Sequence, residues 1–246
     1  MAQAPAAMTA HAANRIGMLR ESSLHAALKD WYARPGDRFE VDVEHSIIDI
    51  VRGDLLIEIQ TRNLAGLKRK LQRLAEGHTV HLVYPIAREK WIVRLDVDNE
   101  TTLSRRKSPK RGRIEHLFME MVNIAVLTAH PNLSLEVLLI REEEVWTKGK
   151  SEHRRSWRHG GWARYDRRLI EVVEQRIFQT PAAYLPLLPD SLPVEFTNHQ
   201  LAHALGQPGY LAERMSYCLR HMGVLKVAGK RGHAFLFRRI ELPDEP

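Results

Sequence analysis

Residues 39–61 read FEVDVEHSIIDIVRGDLLIEIQT, and this stretch decides the fold. It divides into three short strands, the second and third joined by a tight turn at Arg52-Gly53-Asp54. Ile47, Ile48, Ile50 and Val51, then Leu55, Leu56, Ile57 and Ile59, make both strands almost wholly apolar. β-Branched runs bounded by turn residues suit strands buried on both faces. Asp49, Glu58 and Gln60 interrupt them. Side chains alternate along a strand, so Glu58 and Gln60 share a face, and a turn at Gly53 brings Asp49 close to level with them. A buried carboxylate is costly unless paired or bound to a cation. Two that face each other in an apolar sheet point to a hard metal, Mg²⁺ or Mn²⁺, held by Asp49 and Glu58.

The 246 residues suffice for one large domain or a few small ones. The single cysteine, Cys218, excludes an internal disulfide and any cysteine-based zinc site, which suits a cytoplasmic protein. No run approaches the length needed to span a membrane. The Ala-rich start lacks a basic, then apolar, signal pattern, and residues 1–16 are expected to be a disordered tail. The formal charge is +7, and the whole excess falls within residues 105–170. Such a concentration suggests a polyanionic partner, with nucleic acid the first candidate; a solvated surface is the ordinary alternative.

Residues 20–33 carry Leu24, Leu28 and Trp31 on one helical stripe, with Glu21 at the start. Glu21 either joins the metal site or complements the helix dipole. After the strands, residues 63–77 form a second helix, with Leu64, Leu67, Leu71 and Leu74 inward, Asn63 as N-cap and Gly77 as C-cap. Next come a strand over 80–84, a break at Pro85 and a strand over 91–95. In this order, helix, three strands, helix, strand, with Glu21, Asp49 and Glu58-x-Gln60 on successive elements, residues 17–95 resemble the PD-(D/E)xK nuclease superfamily. More specifically, the arrangement looks like that of archaeal Holliday-junction resolvases and related restriction-type endonucleases. The resemblance implies a metal-dependent DNA endonuclease with Glu21, Asp49, Glu58 and Gln60 catalytic. Gln60 stands where the family has lysine, and an amide supplies no cation; Lys68 or Lys70 on the next helix is the candidate replacement. The segments ESSLHAALKDWYA, GDLLIEIQTRN and LVYPIAREKWIVRLD also resemble a bacterial family of unknown function.

Residues 103–113, LSRRKSPKRGR, read as a loop whose Arg105, Arg106, Lys107, Lys110 and Arg111 suit phosphate contacts. A helix is expected over 114–129 and a strand over 133–140. Residues 145–168 mix Trp146, Trp157 and Trp162 with arginines around Gly160-Gly161, as in a hairpin or projecting loop. Those tryptophans either stack on unpaired bases or pin the segment to the body. His153 and His159 lack partners at metal-ligand spacing. Residues 169–178 look like a short amphipathic helix, and the proline-rich stretch that follows like a connection between domains.

Thr197 and Gln200 form a capping box opening a helix over 197–206. A second helix runs to about Met222, and residues 224–237 read as a hairpin tipped by Gly229-Lys230-Arg231-Gly232. Helix, turn, helix and basic hairpin resemble the winged helix-turn-helix superfamily. By that resemblance Tyr210, Arg214, Tyr217, Arg220 and His221 face DNA, with Lys230 and Arg231 in the wing. His199 and His203 are spaced like metal ligands, but Gln200 stands where a catalytic Glu would be.

The expected fold is therefore α/β: a restriction endonuclease-like αβββαβ core over 17–104, a mostly helical basic middle over 105–180 and a winged helix over 181–246. The expected function is DNA cleavage by metal-activated water, with DNA as partner, no membrane and room for a homodimer. A non-catalytic DNA-binding protein and a protein-interaction scaffold are the alternatives.

Overall fold

The computed structural model describes residues 22–148 and 160–240, so Glu21, His153, Trp157, His159 and the N-terminal tail lie outside the described residues. Helix α1 (Ser23–Tyr32) precedes strands β1 (Arg38–Val43), β2 (Ser46–Arg52) and β3 (Leu55–Ile59). A short 3-10 turn, whose first amide at Ala65 is capped by the Asn63 side chain at 2.7 Å, leads into α2 (Lys68–Gly77). Strands β4 (Thr79–Leu95) and β5 (Thr102–Lys107), the short α3 (Phe118–Met121), and the long β6 (Leu133–Lys148) and β7 (Trp162–Phe178) follow. These seven strands make one mixed sheet in the order β1-β2-β3-β4-β6-β7, with β5 beside β4. The class is α/β.

The sheet is organised on β4. One edge of β4 pairs in parallel with β6 along nearly its whole length. The other edge is shared: β3 takes Thr79 to Val83 and β5 takes Trp91 to Leu95. Pro85 was expected to break this strand, yet β4 runs through it. The Val83 carbonyl accepts from the Gln60 amide on the β3 edge, and alternation points residue 85 to that same edge, where β3 has already ended. The missing N–H therefore costs no ladder bond.

The chain from Ser108 to Gly112 closes the gap between β3 and β5. The Ser108 amide donates to Lys90 O at 2.8 Å, and the Gly112 amide to Ala87 O at 3.0 Å. A Cβ at Gly112 would stand 2.3 Å from Ala87 O and 2.8 Å from Ile86 Cγ2, so only glycine lets the chain lie this close.

The mostly helical middle is corrected by the structure. Residues 133–178 are dominated by the β6–β7 ribbon, and only short helical turns occupy 114–129. The expected helix over 169–178 is part of β7. Three register shifts against β6 leave Tyr165, Ile170 and Val173 as extra residues. Each bulge breaks the strand's two-residue alternation, so the apolar positions acquire a helix-like spacing. Bulges on this edge strand also blunt it against pairing with other chains.

Leu24 and Leu28 of α1 pack with Ile50, Ile57, Ile59, Val83, Leu138 and Ile140 on one face of the sheet. Leu71 and Leu74 of α2 and Phe118 and Met121 of α3 cover the other with Leu56, Val80, Leu82 and Leu135. The proline-rich stretch is packed into that second core: Tyr184 is buried and stacks on Phe178 at 4.3 Å between ring centroids. The same core takes in Leu201, Leu211, Met215 and Leu219 from α4 (Asn198–Leu205) and α5 (Gly209–His221). Strands β9 (Leu225–Arg231) and β10 (Ala234–Arg239) follow, with β8 (Glu195–Phe196) against β10. Gly229 to Arg231 belong to β9, and the hairpin turns at Gly232-His233 because Arg231 pairs with Ala234.

Replacing Gly112 by alanine should lower unfolding stability by about 1–3 kcal/mol, because the new methyl overlaps strand backbone. Gly66→Ala, with open space at its Cβ, should change it by less than ~0.5 kcal/mol. Denaturant unfolding of both variants measures the contrast.

Candidate active site

The β2–β3 ladder pairs Arg52 with Leu55, Val51 with Leu56 and Ile50 with Ile57, and then ends. The next facing pair would be Asp49 and Glu58. Instead of continuing the ladder, the Ile59 amide donates to Asp49 Oδ2 at 2.7 Å. Asp49 thus props the two strands apart at their open end. Its other oxygen, Oδ1, lies 2.9 Å from His25 Nε2 on the first turn of α1. Ser22 sets that turn, its hydroxyl accepting from the His25 amide at 3.4 Å.

Glu58 is 9% exposed. Lys70 Nζ reaches it from α2, donating to Oε1 at 2.7 Å and to Ile47 O at 2.6 Å. The second oxygen, Oε2, is buried with no hydrogen-bond partner. Burial pushes the Glu58 carboxyl above the ordinary glutamate range, and the neighbouring Asp49 carboxylate pushes it the same way, against the lowering influence of Lys70. The site is therefore two acids and two bases in alternation: His25 on Asp49, and Lys70 on Glu58.

Gln60 stands apart from this group, its Nε2 donating to Asn63 O at 3.3 Å. Glu21 lies outside the described residues. Sequence reasoning named Lys70 only as one of two lysines within reach, and missed His25. The signal for His25 was its place on the stripe of α1 that also carries Leu28, one helical turn on. Among the described residues no three His, Cys, Asp or Glu side chains are grouped as metal ligands.

The basic residues divide. Arg105 Nε pairs with Glu143 at 2.7 Å and Lys107 with Glu89 at 3.0 Å, while Arg111 also pairs with Glu89. These three are spent on the fold, and Arg105 to Lys107 lie on β5 instead of a loop. Arg106 and Lys110 are exposed and make no ion pair among the described residues. On α5, Tyr210, Arg214, Tyr217, Arg220 and His221 share the outward face. Arg214 Nη1 donates to Met119 O at 2.8 Å, and Tyr217 packs on His221 with ring centroids 4.2 Å apart. Lys230 lies over Phe235 at 5.1 Å, and Arg231 is exposed beside the turn.

The raised Glu58 carboxyl has a stability consequence. A group whose folded pKa lies above its unfolded one favours folding when protonated, and that contribution is lost as pH rises through the folded pKa. At neutral pH Glu58 therefore supports the fold less than it does in acid. Glu58→Gln, which keeps an oxygen for Lys70, should raise the thermal midpoint at pH 7–8. The gain should vanish as pH falls below the ordinary glutamate range. Thermal scans across pH check both halves.

A family model described as "Domain of unknown function (DUF8091)" matches residues 22–179, from the cap of α1 to just past β7. An uncharacterized protein of Treponema pallidum (strain Nichols) is 32% identical over 228 residues, covering 91% of this chain and 87% of its own length. No solved structure matches the chain. By the extent of the family match, which includes the whole Asp49–Glu58–Lys70 site, the chain belongs to the DUF8091 family.

Proposed function

We propose that this chain is a nuclease-type nucleic-acid-binding protein whose site for phosphodiester cleavage is built on Asp49, Glu58 and Lys70. The observation that carries the reading is Lys70 Nζ at 2.7 Å from Glu58 Oε1. It supplies, from α2, the cation that Gln60 cannot supply from the end of β3. With the αβββαβ order and Asp49 next in line to face Glu58 across the hairpin, this supports a restriction endonuclease-like core.

Asp49 and Glu58 would hold a divalent cation, Mg²⁺ or Mn²⁺. The fit rests on Glu58 Oε2, a buried carboxylate oxygen without a partner. Such an ion lowers the pKa of a bound water and offsets negative charge on the phosphate. The chain's own residues do the positioning. The Ile59 amide and His25 fix both oxygens of Asp49. Lys70, anchored by Ile47 O, presents a positive charge beside Glu58 where charge grows on the phosphoryl oxygens. The α4–α5 pair with its β9–β10 hairpin supports a winged helix, in which Tyr210, Tyr217, Arg220, Lys230 and Arg231 are free to meet DNA while Arg214 is held by Met119.

The second reading is a DNA-binding protein without catalysis. It is favoured by His25 and Lys70 already seated on the carboxylates and by the lack, among the described residues, of a three-ligand metal group.

Cleavage of linear, branched and single-stranded DNA with Mg²⁺ or Mn²⁺ decides between them. On the first reading Asp49→Ala, Glu58→Ala and Lys70→Ala each reduce the rate by about 100-fold or more with folding intact. Gln60→Ala changes it little, and Gln60→Lys partly rescues Lys70→Ala. Absence of any cleavage by the wild type, with salt-sensitive binding retained, selects the second reading.

A further inference from the structure

Beyond the site, β4, β5, β6 and β7 continue past the main cores as an arm, with its own small apolar cluster of Val93, Leu95 and Val145. The register assigns its side chains to faces. On the face shared with α1, Ile92 aligns with Arg106, Glu144 and Arg167. In the next row Arg94 aligns with Ser104, Trp146 and Arg164, and beyond it Lys148 aligns with Trp162. Two carboxylates on this face are neutralised: Glu142 by Arg167 at 2.7 Å and Glu144 by Lys90 at 2.6 Å. Asp166 is turned to the start of α1, accepting from the Ser23 amide at 3.1 Å. Arg94, Arg106, Lys148 and Arg164 are exposed and have no ion-pair partner among the described residues. Two of them cover the Trp162 ring, Arg94 at 4.8 Å and Lys148 at 5.7 Å from its centroid.

The inner end of this face meets the candidate site. Arg167 Nη1 donates to Thr61 O at 2.6 Å, two residues from the Ile59 amide that holds Asp49. We infer that the α1-side face of the arm is a phosphate track, along which the backbone of a nucleic acid lies as it leaves the Asp49–Glu58 site. The occupant follows from charge and geometry. Unpaired cations line one face of a ribbon. Cations already cover the Trp162 ring, so the contact is to phosphates and carries no sequence preference. From Glu142 to Lys148 the ribbon advances about 20 Å at ~3.3 Å per residue, the length of about six base pairs at ~3.4 Å each.

The inference rests on the nucleic-acid part of the proposed function and is separable from cleavage. The experiment measures binding of the full-length protein to blunt DNA duplexes of increasing length, across a salt series. The probes are the wild type and the quadruple variant Arg94→Gln, Arg106→Gln, Lys148→Gln, Arg164→Gln. A control of equal charge change replaces the exposed Arg34, Arg38, Arg69 and Arg168 by Gln. The track predicts that the quadruple variant lowers the slope of log affinity against log salt by about three to four, roughly one per lost phosphate contact. It also predicts that affinity gained by lengthening one flank through about six base pairs disappears in that variant. Affinity and slope unchanged in the quadruple variant, or an equal drop in the control, overturn it. Polyglutamate bound with the same dependence on these four residues also overturns it, in favour of an acidic protein partner. Loss of binding in the variant alongside a wild type that never cuts leaves the track standing and removes only the cleavage reading.

Discussion

Glu58 is buried in an apolar sheet with one oxygen left unpartnered, and that constraint organises the N-terminal half of the molecule. A carboxylate there is tolerable only if a cation reaches it and a neighbour does not crowd it. Lys70 reaches it because α2 crosses the sheet on the face that Leu71 and Leu74 cover, with Lys70 on the adjoining flank. Asp49 is drawn aside by the Ile59 amide and His25, which opens the end of the β2–β3 hairpin. α1 and α2, on opposite faces of the sheet, thus each deliver one basic group to the same pair of acids.

The strand β4 turns this local arrangement into a platform. Its edge is shared by β3 and β5, and the gap between them is filled by backbone that only Gly112 allows so close. The segment named in the sequence as a basic loop is therefore tied into the sheet on both sides of Pro109. That tie explains the fate of its charges. Arg105, Lys107 and Arg111 find Glu143 and Glu89 within reach because β5 lies beside β4, and β4 beside β6. Composition showed how many cations the region holds; pairing showed which of them remain available.

Part of the candidate site's geometry was legible in the sequence. A turn at Gly53 makes Asp49 and Glu58 the next facing positions beyond the last ladder pair, Ile50 with Ile57, while Gln60, expected beside them, turns to Asn63. Capping chemistry was equally plain at Thr197, where the Gln200 side chain accepts from the Thr197 amide at 3.0 Å as expected. Three things were hidden, each for a physical reason. Pro85 looked like a break because a sequence does not state which strand edge lacks a partner. The end of β7 looked helical because bulges at Ile170 and Val173 displace the alternation. His25 was missed because its place on the Leu28 stripe shows which way it faces, while its partner Asp49 is set by the packing of α1 on β2.

The distribution of charge also separates two jobs that composition merges. At the candidate site the Lys70 charge is already engaged by Glu58, and Asp49 is held by His25 and the Ile59 amide. Along the arm, Glu142, Glu143 and Glu144 are matched within the sheet, while Arg94, Arg106, Lys148 and Arg164 have no ion-pair partner among the described residues. Attraction falls off over about 10 Å in ordinary salt, so on the proposed reading a polyanion would be held first by the arm, and the site would meet the phosphate delivered to it. Binding would then be broad and action local.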